Sequence, residues 1–250
     1  MSGHSKWAQI KRQKGVADSR RGAMFTKLTR EIIISTRQGG PNPDGNFRLR
    51  LAIQKARDNN MPKDNIESAI KKGSGAAEGA ALAEMLMEGY GPAGVAIMLE
   101  AMSDNRNRTV QEIRSTFSKY NGNLGENGSV SWMFENTGVI TVDTAGIDPD
   151  EFSLFAIDVG AEDVKEEKGL LEIYTEPKDF EFVKQAVEKR KKPISAEVTM
   201  IPKNTVTLPE KEALQTVKLL EKLEELDDVQ RVFSNLDYSD ALIEKLKAEA

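Results

Sequence analysis

The sequence predicts an α+β protein, with an N-terminal three-helix domain followed by two α/β domains carrying antiparallel, ferredoxin-like sheets. Three observations predict it. From Asp18 through residue 75 apolar positions recur at helical spacing between Gly and Pro stops. Further on, short apolar runs alternate with helix-period segments, the pattern of helix-backed sheets. The charge also changes sign where the pattern changes. Through residue 75, 16 Lys/Arg stand against 6 Asp/Glu, about +10, and subtraction from the overall −5 leaves about −15 for the remainder.

Gly3-His4-Ser5-Lys6-Trp7 and Ile10-Lys11-Arg12-Gln13-Lys14-Gly15 show little periodicity and read as an arm or short helix. A first full helix is expected from Asp18, as N-cap, to Arg37, with Phe25, Leu28 and Ile32 inward and Gly39-Gly40 as the stop. Residues 47–58 favour a second helix, although Phe47, Leu49, Leu51 and Ile53 alternate with Arg48, Arg50 and Ala52 as a strand would. A third helix has Pro62 in its first turn, Ile66 and Ile70 inside, and Gly73 past its end. Residues 74–80 are small and polar and read as a linker.

Strands are expected at 85–90 and 95–102, joined at Gly91-Pro92, then a helix at 110–119 with Thr109 and Glu112 as a capping box. From residue 130 the expected order is strand (131–134, 139–142), helix (151–159), strands (161–165, 170–175), helix (180–189) and strand (196–201). A helix at 209–226 and a strand at 229–233 are too little for a domain and need a host. The expected division is therefore 1–76, a basic helical nucleic-acid-binding domain; 77–131 with 206–250, an α/β domain; and 132–205, an inserted ferredoxin-like domain.

Composition restricts the chemistry. Of 250 residues none is cysteine, which rules out disulfides, thiolate nucleophiles and cysteine metal sites. The single histidine, His4, cannot build a triad or a metal cluster alone. No apolar run reaches the roughly 20 residues of a membrane span, so a cytoplasmic protein without membrane contact is expected. Gly89-Tyr90-Gly91-Pro92-Ala93-Gly94 spells a dinucleotide-loop pattern. That loop must open a helix, and Val95-Ala96-Ile97-Met98-Leu99 reads as strand, so a hairpin turn is expected. Glu166-Glu167, Glu224-Glu225 and Asp227-Asp228 read as solvated surface, because adjacent carboxylates point apart. No enzyme, no cofactor and no small-molecule substrate is expected.

A basic domain joined to an acidic remainder attracts a polyanion to one end of the molecule and repels it from the other. The candidate phosphate contacts are Lys6, Lys11, Arg12, Lys14, Arg20, Arg21, Lys27, Arg30, Arg48, Arg50, Lys55, Arg57, Lys63, Lys71 and Lys72. Trp7 could stack on a base, whereas Phe25 and Phe47 read as core. Asn105, Arg106, Asn107 and Arg108 form a second candidate contact, on a loop entering a helix N-terminus. The structural alternative there is Asp104 bracing the loop through Arg106 or Arg108. Two other function classes stand beside nucleic-acid binding: a protein-interaction module docking on an acidic partner, and, ranked below it, a nucleotide enzyme using the 89–94 loop.

Several motifs in order carry a family resemblance: Gly3-His4-Ser5-Lys6-Trp7, Asn59-Asn60-Met61-Pro62-Lys63-Asp64-Asn65-Ile66, Glu88-Gly89-Tyr90-Gly91-Pro92, Asp104-Asn105-Arg106-Asn107-Arg108-Thr109 and Gly128-Ser129-Val130-Ser131-Trp132-Met133-Phe134. Together they resemble the YebC family over essentially the whole chain. Phe47 stands where that family usually has proline, which leaves the start of the second helix open, and Tyr120-Asn121 replaces a usual glycine-rich pair. The resemblance implies a helical domain and two α/β domains, in a family described as probable DNA-binding transcriptional regulators. Its mitochondrial relatives are translational activators, and some bacterial members associate with ribosomes stalled on proline-rich stretches. The expected partner is thus DNA or ribosomal RNA, with the ribosome as the alternative setting.

Overall fold

A computed structural model describes residues 18–75 and 82–248, with side chains over 22–75 and 82–246. The described residues form two compact units, one of 18–75, 82–129 and 209–232 and one of 130–208 and 233–248.

The first unit begins with α1 (Asp18–Gly39), α2 (Phe47–Asp58) and α3 (Lys63–Gly73). Leu28, Ile32 and Ile33 of α1, Leu49, Ala52, Ile53 and Ala56 of α2, and Ile66 and Ala69 of α3 close around Met61 as one core. The alternation in 47–53 resolves as helix because the stripe 49/52/53/56 buries more deeply than Phe47 or Leu51, which stay half-buried. Asn46 decides where α2 starts. Its side-chain oxygen accepts from the Leu49 N–H at 3.0 Å, while its amide donates to the carbonyls of Ser35 at 2.7 Å and Gly40 at 2.8 Å. α1 runs two residues past the expected Arg37, to Gly39, and stops with Gly40 at φ +85° donating its N–H to the Thr36 carbonyl. Gly73, expected past the end of α3, is instead its last, buried residue. A Cβ there would lie 2.6 Å from Thr36 Cβ and 2.7 Å from the Ile33 carbonyl oxygen, so glycine permits the close crossing of α1 and α3.

The unit continues into a sheet. β1 (Ala83–Tyr90) and β2 (Ala96–Ser103) form the expected hairpin, pairing Ala83 with Ser103 and Tyr90 with Ala96. α4 (Arg106–Lys119), the short β3 (Asn123–Leu124), α7 (Glu210–Glu225) and β8 (Val229–Ser234) complete it, with strand order β3-β1-β2-β8. Ile113 and Phe117 of α4 and Val217, Leu220 and Leu223 of α7 supply the buried helical layer. Gly89 allows that layer to close, since a Cβ would sit 2.9 Å from the Phe117 ring and 2.6 Å from the Asn123 carbonyl oxygen. The expected capping box at Thr109 is not formed. α4 begins four residues earlier, with Asn105 accepting from the Arg108 N–H at 3.1 Å. Thr109 lies inside the helix and returns its hydroxyl to the Asn105 carbonyl at 3.1 Å.

The second unit runs along the chain as β4 (Phe134–Asp143), α5 (Pro149–Asp158), β5 (Asp163–Glu167), β6 (Leu170–Thr175), α6 (Phe180–Arg190) and β7 (Ser195–Pro202). Its strands form an antiparallel sheet of order β5-β6-β4-β7, a ferredoxin-like arrangement. Residues 131–133, expected as strand, form a 3-10 turn that leads into β4. The expected break between 134 and 139 is absent, because Thr137 and Gly138 continue the pairing of β4 with its neighbours. Ile140, Val142, Leu171 and Ile173 meet Phe152, Ala156, Phe180, Val183 and Val187 in the core. A further helix, α8 (Asp240–Ala248), was not expected; it follows buried Leu236 and Tyr238 and buries Leu242 and Leu246.

Candidate nucleic-acid interface

The helical core fixes which basic side chains can meet solvent. On α2 the buried stripe leaves two flanks, one carrying Arg48 and Lys55 and the other Arg50 and Arg57, each pair seven residues apart and so nearly in line. The candidate cations therefore do not share one direction. Lys55 and Arg57 are exposed at the end of α2, Lys71 and Lys72 in the last turn of α3, and all four are without an ion pair among the described residues. Lys63 is exposed and lies 3.4 Å from Glu67. Arg37, in the last turn of α1, is also exposed; sequence reasoning left it out, although a cation ending a helix is itself a signal.

The other described cations of the bundle have partners. Arg48 sits between Glu31 at 2.9 Å and Glu84, and also donates to Gln38 at 2.7 Å. Burial works against its charge, but the two carboxylates outweigh it and raise the guanidinium pKa well above its usual range. Arg50 donates to the carbonyls of Pro43 at 3.1 Å and Asp44 at 3.3 Å, and lies 5.7 Å from the Phe47 ring centre. Phe47 is thus a half-buried platform, and Phe25 packs on the core. Lys27 donates to the Glu224 carbonyl at 2.5 Å; Arg30 donates to the Asp227 carbonyl and lies 3.0 Å from the Asp228 carboxylate. Lys6, Trp7, Lys11, Arg12 and Lys14, with His4, lie outside the described residues. Arg20 and Arg21 fall on α1, with their side chains outside them.

The second candidate contact is rearranged in the same way. Arg106, Asn107 and Arg108 stand on the first turn of α4 and not on a loop, with Asn105 as the cap. Arg106 and Asn107 are exposed. Arg108 meets Asp104 at 3.1 Å and Asp228 at 2.9 Å, which realises the bracing alternative and adds a carboxylate 120 residues away.

Asp228, expected on solvated surface, is 3% exposed and accepts from Thr109 Oγ1 at 2.6 Å, Arg108 at 2.9 Å and Ser103 Oγ at 3.0 Å, with Arg30 beside it. Burial pushes its carboxyl up, but the Thr109, Arg108 and Ser103 hydrogen bonds and the Arg30 charge outweigh burial and hold it below the usual carboxylate range. Glu84 behaves alike, its burial outweighed by Arg48, with Gln38 and Arg231 assisting. Nothing near residue 228 in sequence announces this, since every donor comes from another element.

The 89–94 glycine pattern forms the hairpin corner. Gly91 donates to the Val95 carbonyl at 2.7 Å, and Pro92–Gly94 make a single 3-10 turn with Ala93 and Gly94 at positive φ. A strand follows it, so no helix N-terminus is offered to a pyrophosphate. Among the described residues no group of three or more His, Asp or Glu could hold a metal ion, and no helix is long and apolar enough to cross a membrane.

Fold and charge together define a class: α+β proteins in which a cationic three-helix bundle precedes two sheet-and-helix layers. The chain belongs to the TACO1/YebC family, matching its N-terminal domain model over residues 5–76 and its second and third domain model over residues 82–236. It is 60% identical, over the full length of both chains, to a Dehalococcoides mccartyi protein described as a probable transcriptional regulatory protein. A Natranaerobius thermophilus protein of the same description is 52% identical, over 98% of this chain and 99% of that one. The crystal structure of a conserved hypothetical protein from Aquifex aeolicus is similar to it with a TM-score of 0.79 at 48% identity, covering 88% of this chain and 91% of that one.

Proposed function

We propose that this chain is a cytoplasmic, non-enzymatic regulator of gene expression that binds nucleic acid through its N-terminal helical bundle. The observation that carries this reading is the partition of charge, about +10 through residue 75 against about −15 beyond it. A phosphate backbone binds such a bundle by releasing counterions, and the acidic remainder limits how much of the protein can approach it. Family membership and the relatives' description as probable transcriptional regulatory proteins support the same reading. Lys55, Arg57, Lys63, Lys71 and Lys72 are the described side chains exposed for phosphate contact, joined by Arg37, and Arg106 and Asn107 offer a second point.

A salt titration of binding to duplex DNA and to ribosomal RNA tests the mechanism. Affinity should fall steeply with salt, and reversal of Lys11, Arg12, Lys14, Arg20 and Arg21 to glutamate should weaken it further. Affinity indifferent to both overturns the electrostatic reading. Crosslinking in cells, with sequencing of the attached nucleic acid, then assigns the target: promoter fragments mean transcriptional control, ribosomal RNA means action on the ribosome.

A further inference from the structure

Several of the cations that the sequence assigns to phosphate are already bound to carboxylates and carbonyls of the sheet and helix that follow the bundle in the same unit. Lys27 and Arg30, one turn apart on α1, reach the turn between α7 and β8. Lys27 takes the Glu224 carbonyl; Arg30 takes the Asp227 carbonyl and the Asp228 carboxylate. Further along α1, Gln38 donates to Glu84 at the start of β1, and Arg48 of α2 reaches the same carboxylate while also holding Glu31 of α1. Arg30 and Gln38 are eight residues apart, about 12 Å along a helix. One contact would leave the bundle free to pivot; two at that separation fix its direction.

The Asp228 carboxylate and the Glu84 backbone are each fixed from their own side. Asp228 is held by Ser103, Arg108 and Thr109, so it presents to Arg30 a carboxylate whose position is already fixed. Glu84 lies in the β1–β2 ladder opposite Met102, the residue whose N–H donates to the Asp228 carbonyl at 2.8 Å. Glu84 on β1 and Asp228 at the entry to β8 are therefore both tied to the Met102 end of β2. The partners on the bundle side are charged and partly exposed, Arg30 at 19% and Arg48 at 36%, so screening by salt reaches them.

We infer that Asp228 and Glu84 form a two-point electrostatic clamp that carries the basic bundle in one orientation on the β1–β2–β8 sheet, and that opening it frees Arg30, and the Glu84-facing side of Arg48, for a phosphate backbone. The first half is a property of the chain alone. The second rests on the proposed function: a polyanion opens the clamp only if it binds the open form more tightly than the closed one, and two arginines released from internal carboxylates supply that difference.

The absence of cysteine allows a direct test in the full-length chain. Asp58→Cys on α2 and Glu112→Cys on α4, both exposed, take a donor and an acceptor dye, and energy transfer reports docking. Transfer should be high and constant at low salt and fall in one transition as NaCl rises toward about 1 M. Asp228→Asn and Glu84→Gln singly should move that transition to a roughly two- to threefold lower NaCl concentration. The double variant should show low transfer from the start, with far-ultraviolet dichroism unchanged. Arg30→Gln with Arg48→Gln removes the same ion pairs from the other side and serves if the carboxylate variants do not fold. A double variant that stays docked at low salt like the parent overturns the clamp.

A duplex DNA oligonucleotide is then added to the parent at low salt. Loss of transfer on binding supports the second half, and binding with transfer unchanged overturns it. If neither the oligonucleotide nor ribosomal RNA binds while salt and the variants still undock the bundle, the nucleic-acid reading falls and the clamp stands.

Discussion

At Asp228 two carboxylate oxygens meet donors from α1, β2 and α4, which explains how a buried acid stays ionised despite its desolvation. Removing the charge leaves Arg108, Thr109 and Ser103 without their common acceptor. Asp228→Ala should cost about 1–3 kcal/mol in chemical denaturation. The pH dependence follows from the lowered carboxyl. Its stabilisation is complete above the unfolded-state value near pH 4 and disappears as pH falls through the lower, folded-state value. The parent should therefore lose stability on acidification below about pH 4, and Asp228→Asn should lose less over the same interval. Equal slopes for the two would remove Asp228 from that account.

Elements in this chain are closed by single polar or absent side chains. Asn46 caps α2 and at the same time takes two carbonyls from the end of α1 and the turn after it, so one amide joins two helices. Asn46→Ala should lower stability by about 1–2 kcal/mol, with amide exchange accelerated first around Leu49 and Arg50. Gly89 plays the opposite part, contributing by having no side chain where β1 passes Phe117 and Asn123. Gly89→Ala should cost about 1–3 kcal/mol by thermal denaturation while leaving the helical bundle intact. A melt unchanged from the parent would mean that Phe117 can retreat, contrary to its complete burial.

Across the whole molecule, charge is sorted by domain, and this sorting should be visible in salt dependence. Each phosphate that is no longer neutralised by a cation lowers the slope of log affinity against log salt by about 0.9 on duplex DNA. Replacing Lys55, Arg57, Lys63, Lys71 and Lys72 by glutamine should reduce the slope in that proportion. Lys222→Gln, on the acidic body beside Glu225, should leave it unchanged. A slope that responds equally to both would mean that the polyanion does not distinguish the two ends of the chain.

Much of the architecture is legible in sequence because it depends on near neighbours. The spacing of Leu28 and Ile32, the Gly39-Gly40 stop and the 85–102 hairpin are decided within a few residues of themselves, and the fold keeps them. Where the structure departs from local pattern, the deciding partner usually lies on another element. Gly73 has the pattern of a stop but is buried where α1 crosses it, Thr109 has the pattern of a cap but Asn105 takes that place, and Leu242 and Leu246, one turn apart, form α8. The candidate interface divides in the same manner. The sum of charge over a domain is a property of composition, so the sequence alone determined that the N-terminal part is cationic and the remainder anionic. Which cations stay exposed depends on folding, because an ion pair forms between whatever the chain brings within reach. Only the tertiary structure placed Lys27 against a carbonyl 197 residues away and Arg30 and Arg108 around one carboxylate, while leaving Lys55, Arg57, Lys71 and Lys72 exposed to solvent.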